Sequence, residues 1–113
     1  MINKKESKLD GYGDGKFIVS GKIYRSAILV LPNEIKIKKD LKLNSIKKKD
    51  LEKIIHRYKL EFLILGYTST KNNIFKYKNS LVQIMETGAA CRTINMLLTE
   101  KRSVGALIFP IKN

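Results

Sequence analysis

Residues 61–65 read Glu-Phe-Leu-Ile-Leu and are closed by Gly66, directly after a segment with helical periodicity. A short apolar run without polar alternation must be covered on both faces if it is a strand. A strand that follows a helix and is buried on both sides points to a parallel crossover. The helix before it is marked by Leu51, Ile54, Ile55 and Tyr58 at i, i+3, i+4 and i+7, with Lys47, Lys48, Lys49, Lys53 and Arg57 on the other side. Ser45 is the expected N-cap. The pattern then recurs. Residues 81–85 form a second apolar strand, Thr87 is the expected N-cap, and residues 89–101 form a helix with the stripe Ala90, Ile94, Leu97 and Leu98. Residues 104–109 make a final buried strand stopped by Pro110. The intervening segment is polar, and a short helix around residues 74–78 is one option for it.

The first third reads as strands instead. Residues 10–15, Asp-Gly-Tyr-Gly-Asp-Gly, are turn chemistry, because glycine reaches positive φ freely. Their Gly-x-Gly-x-Gly spacing is not a dinucleotide fingerprint, since no strand precedes it and no helix follows. A short strand at 17–19 is broken by Gly21, and a longer one is expected over 22–31. Ile23, Arg25 and Ala27 alternate there with Tyr24, Ser26 and Ile28, and residues 27–31 are apolar on both faces. Pro32-Asn33 turns the chain into residues 34–38, where Ile35 and Ile37 alternate with lysines as in an edge strand. The expected fold class is α/β: one three-layer domain over residues 1–113, with a central mixed β-sheet, helices and a β-rich N-terminal part.

Composition bounds the function. Of 113 residues, 43% are apolar and 29% charged, as in an ordinary globular chain. The longest uninterrupted apolar run, 27–31, is far below the ~20 residues of a membrane span. Residues 1–10 carry Lys4, Lys5 and Lys8 with no apolar core, which is not a secretory signal. A single cysteine allows no internal disulfide and suits a reducing, cytoplasmic setting. The net charge of +13 admits a nucleic-acid partner. However, lysine supplies 19 of the 23 basic residues and is accompanied by 15 Ile and 8 Asn, the products of AT-rich codons. The lysines cluster only at 36–42 and 47–49, and no aromatic side chains interleave them to stack bases. Codon bias is therefore the preferred explanation, and no specific nucleic-acid target is expected.

Two strand ends carry the polar chemistry. One is Gly66-Tyr67-Thr68-Ser69; the other is Glu86-Thr87-Gly88, which opens directly into a helix. Ligand crevices of open α/β sheets lie outside the carboxyl ends of strands, and a helix start adds free N–H groups and partial positive charge. Gly66, Thr68, Glu86, Thr87, Gly88, Cys91, Arg92 and Asn95 are accordingly the candidate ligand-binding residues, suited to a phosphate or carboxylate. The plainer alternative is that Gly88-Ala89-Ala90 are small for close packing. On a helical wheel Cys91 lies 100° from Ala90, at the border of the buried face, so it is expected to be a slow-reacting packed thiol. No catalytic residue is assigned: His56, the lone histidine, lies on the lysine-rich helix, and Glu61, Glu86 and Glu100 do not pair as in a two-carboxylate hydrolase. One Cys and one His leave no transition-metal set, and no cofactor is expected.

Residues 85–102, METGAACRTINMLLTEKR, followed by Val104-Gly105-Ala106-Leu107-Ile108, resemble the family classed as domain of unknown function 498. Gly11-Tyr12-Gly13 with Phe17, the strand Ser26-Ala27-Ile28-Leu29-Val30-Leu31-Pro32 and the Gly66 strand end support the resemblance over nearly the whole chain. The chain departs from the family pattern at Glu86 and Ile94, where Asp and Tyr are frequent, and at Gly66-Tyr67-Thr68, where Gly-Thr-Gly is usual. The resemblance implies a three-layer fold around a mixed sheet and a non-enzymatic role in assembling respiratory complex I or its bacterial counterpart, with protein partners from that process. It carries no catalytic activity with it. Two other readings stand beside this one: a small-anion binder or unrecognised enzyme using the helix start from Thr87 to Asn95, and a weak nucleic-acid binder acting through lysines.

Overall fold

A computed structural model describes residues 8–68 and 81–111. Eight strands and two α-helices are found among them: β1 Leu9–Gly13, β2 Lys16–Val19, β3 Lys22–Tyr24, β4 Ala27–Val30, β5 Ile35–Lys38, α1 Lys48–Arg57, β6 Leu63–Gly66, β7 Val82–Met85, α2 Thr87–Thr99 and β8 Gly105–Ile108. The short helix considered around residues 74–78 lies outside the described residues.

Strands β1, β2 and β3 form an antiparallel meander. Its two hairpins turn on Asp14-Gly15 and Ser20-Gly21, with φ of 53° and 73° in the first and 50° and 84° in the second. Positive φ at both central residues is what a two-residue hairpin loop matched to strand twist requires. The glycine-rich stretch at 10–15 is therefore mostly strand: pairing runs through Gly13, and only Asp14 and Gly15 turn. The other five strands make a mixed sheet in the order β5-β4-β8-β6-β7, antiparallel from β5 to β8 and parallel from β8 to β7. The last described strand thus occupies the centre.

The expected long strand over 22–31 is two strands in two different sheets. β3 ends at Tyr24, Ser26 bends the chain, and β4 begins at Ala27. Alternation alone could not show this, because both pieces carry apolar residues in phase. Ile23 is exposed in the meander, whereas all of β4 is buried.

Each face of the mixed sheet has its own core. Ile28, Val30, Ile64, Ala106 and Ile108 meet Ala90, Cys91, Ile94 and Leu97 of α2, together with Leu9, Phe17 and Val19 of the meander. Ala27, Leu29, Leu63, Leu65 and Leu107 meet Leu51 and Ile55 of α1 on the other face. Alternate residues of β4, β6 and β8 feed the two cores, which is why these strands lack polar positions. The result is three layers, with helix and meander on one side and helix on the other.

Both helix starts differ from expectation. Residues Leu43–Ser45 form a 3-10 turn, and α1 begins at Lys48 with Lys47 as N-cap. The Asp50 carboxylate accepts from the Lys47 N–H at 2.9 Å and places an anion in the first turn, where the helix start favours it. In α2 the N-cap is Glu86, so Thr87 falls inside the helix. At the amino ends of β6 and β8, the Glu61 carboxylate accepts from Arg102 Nη2 at 2.9 Å and from the Ser103 N–H at 3.1 Å. The Arg102 hydrogen bond, then the Ser103 N–H, hold the Glu61 pKa below its ordinary value.

Candidate functional site

Strands β6 and β7 run parallel with Gly66 opposite Met85, so the two polar strand ends lie side by side. The backbone continues the pairing past the strands: the Tyr67 N–H donates to the Met85 carbonyl at 3.1 Å, and the Phe109 N–H to the Gly66 carbonyl at 2.8 Å. At Gly66 the helix α2 approaches the sheet closely. A Cβ there would stand 2.5 Å from the Ala90 Cβ and 3.2 Å from Ile108 Cγ2. Only a glycine lets the helix settle on the sheet at this distance.

Beyond Gly66 the candidate residues divide into three settings. Thr68 and Thr87 stay at the strand ends, their hydroxyls 3.4 Å apart. Thr87 is fully buried, and its Oγ1 donates to the Phe109 carbonyl at 2.8 Å, a role different from the N-cap the sequence suggested. Thr68 and Glu86 line a small hollow of about 240 Å³ with Tyr67, Ile84 and Met85.

Gly88, Arg92 and Asn95 instead face the meander. Arg92 Nη1 donates to the Tyr12 hydroxyl at 2.6 Å, and Asn95 Nδ2 to the Leu9 carbonyl at 3.1 Å. A Cβ on Gly88 would meet the Tyr12 ring at 3.2 Å, so β1 packs closely over the first turn of α2. Nothing in the sequence joins residue 12 to residue 92. That contact follows from the meander folding back onto α2, which local periodicity does not encode.

Cys91 occupies the third setting, the core beneath α2, with 1% of its surface exposed. Burial pushes the thiol pKa up to about 12, and the nearby Arg92 charge opposes this only in part. His56 is exposed on α1, away from these residues in the fold. Among the described residues no group of three or more His, Cys, Asp or Glu side chains could hold a metal ion. No helix among them is long and apolar enough to cross a membrane.

A meander packed with a helix against one face of a mixed five-stranded sheet, with a second helix on the other, places the chain among the Mth938-like α/β folds. A Bordetella pertussis protein described as a Mth938-like domain is similar over 97% of this chain and 89% of its own, with 19% identity and a TM-score of 0.68. A Bordetella parapertussis protein matches 92% of this chain and 95% of its own, with 23% identity and a TM-score of 0.70. A protein from Bartonella henselae, described as an outer membrane protein, matches 98% of this chain and all of its own, with 25% identity and a TM-score of 0.72. The family described as protein of unknown function (DUF498/DUF598) matches residues 9–109, and the chain belongs to it. No curated protein matches the chain.

Proposed function

We propose that this chain works by binding and not by catalysis, and that its partners are proteins engaged in assembling respiratory complex I or the bacterial counterpart of that complex. One observation carries the first half: the helix start, the best reactive centre the sequence offers, is engaged internally. Thr87 is hydrogen-bonded to Phe109, Arg92 to Tyr12 and Asn95 to Leu9. Cys91 lies in the apolar core. A nucleophile needs a base within hydrogen-bond reach and an open approach, and Cys91 has neither among the described residues. A packed junction of this kind supports a protein that presents surfaces to others.

Family membership supports the second half through the stretch at 85–102, whose resemblance extends to members acting in complex I assembly. A single reduced cysteine is compatible with work on the cytoplasmic side. Removing the chain from its own host and resolving membrane complexes on native gels tests the partner assignment. Fully assembled NADH-oxidising complex should fall and return when the chain is restored. Undiminished complex would remove the assignment. Any turnover abolished by Cys91→Ala or Arg92→Ala would remove the non-catalytic half independently.

A further inference from the structure

A second hollow, about 360 Å³ in volume, opens at the same edge of the mixed sheet on the α1 side. Topology assembles it. Strand β4 is antiparallel to β8, so its start lies beside the end of β8; β5 is antiparallel to β4, so its end reaches the same edge. Arg25, just before the Ser26 bend that leads into β4, and Lys39, the residue after β5, are thus delivered together, and the connection leading to α1 adds Lys42. All three side chains are exposed, and no ion pair engages them among the described residues. Asp40 lies between the two lysines in sequence but not on the wall of the hollow. The floor has a different character. Ala27, Tyr67 and Phe109 are buried members of the α1-side core, and half-buried Leu41 and Leu43 pack against the same core.

We propose that this hollow binds a small organic anion, with a ring-sized apolar body against Tyr67 and Phe109 and a phosphate or carboxylate group held by Arg25, Lys39 and Lys42. Three cations around a concave, partly apolar wall sum to a positive potential over the hollow. The guanidinium can grip an oxyanion with two parallel hydrogen bonds while the ammonium groups add charge. Ser26 and Thr68 are also on the wall, their hydroxyls donating at 3.4 Å to the Ala27 carbonyl and to Thr87 Oγ1. The volume is at the lower end of the ~300–1,000 Å³ range of ligand pockets, and a bare inorganic ion would leave the apolar floor uncovered. The carboxyl ends of the parallel strands β6 and β8 border the hollow, the usual place for ligands in open α/β sheets. This site goes beyond the partner assignment above and depends on none of it.

Titration of the full chain with phenyl phosphate, followed by amide NMR shifts, tests it, with inorganic phosphate as the comparison ligand. Saturable shifts confined to the surroundings of Ala27, Thr68 and Phe109 are expected, at least tenfold tighter for phenyl phosphate. The variant Arg25→Gln/Lys39→Gln/Lys42→Gln should bind at least tenfold more weakly. Lys22→Gln/Lys49→Gln/Lys53→Gln, which removes the same charge from exposed positions elsewhere, should bind as the native chain does. Absence of saturation, equal binding of the two ligands, or an equal loss in both variants would overturn the proposal.

Discussion

Cys91 stands near the start of α2 and beside Arg92, and both positions favour a thiolate. Leu9, Phe17, Ile94 and their neighbours in the same core outweigh them, because a charge there would have no water and no hydrogen-bond partner. With the thiol pushed up to about 12, it stays protonated throughout the neutral range. Iodoacetamide should therefore label the native chain slowly and only through local opening. A fast reaction with a midpoint below the free-thiol value of about 8.5 would restore Cys91 as a nucleophile. The same shift makes stability depend on pH. The unfolded chain releases this proton near pH 8.5 and the folded chain does not, so the contribution is complete below about 8.5 and declines as pH climbs toward about 12. Cys91→Ser should cost about 1–3 kcal/mol in denaturant melts, since the hydroxyl enters an apolar site. The helical wheel was enough to foresee a packed thiol, because Ala90 and Ile94 define the buried face of α2 without help from distant residues.

Helix α2 rests on β6 through the contact between Ala90 and Gly66, and the two residues should be energetically coupled. Gly66→Ala must displace either the helix or Ile108, an overpacking cost of about 1–3 kcal/mol. Ala90→Gly alone should cost about 1 kcal/mol through helix propensity and lost packing. The double variant should be more stable than the sum of the two losses predicts, and strict additivity in urea melts would show that the close approach is relaxed in solution. Both helices were legible from apolar periodicity and strands β6 and β8 from short apolar runs, which are local properties; β7 was read as a second buried run, but at the sheet edge it leaves Gln83 and Ile84 exposed. Strand β1 was not legible, because Gly11 and Gly13 in a strand resemble a turn until their antiparallel partner is known. The division between β3 and β4 was hidden because Tyr24 and Ile28 keep one alternation while belonging to different sheets. The role of Thr87 was equally invisible, since its acceptor on Phe109 is 22 residues away. In sequence the lysines at 39 and 42 are part of the cluster at 36–42 attributed to codon bias, and only the β4–β5 hairpin brings them to Arg25.

Across the molecule, a net charge of +13 is carried mainly by lysines scattered over the sequence. Such a distribution releases counterions from any polyanion but offers no pattern for reading bases. A labelled DNA duplex should bind weakly at low salt, without sequence preference, and be released near about 150 mM salt. Sub-micromolar affinity persisting there would mean that the charge serves a nucleic-acid function. The central position of β8 has a further consequence, one of timing. It pairs with β4 on one side and β6 on the other, and it is the last described strand to leave the ribosome. Until it emerges, the β4–β5 hairpin and the β6–β7 pair have no strand between them, and each presents an open, apolar edge. Neither layer of the core can close over such halves, so native structure waits for this strand and then forms nearly all at once. A ribosome that stalls before residue 105 therefore releases a chain with two adhesive edges, one suited to capture by chaperones and proteases and unable to persist as a partly working protein.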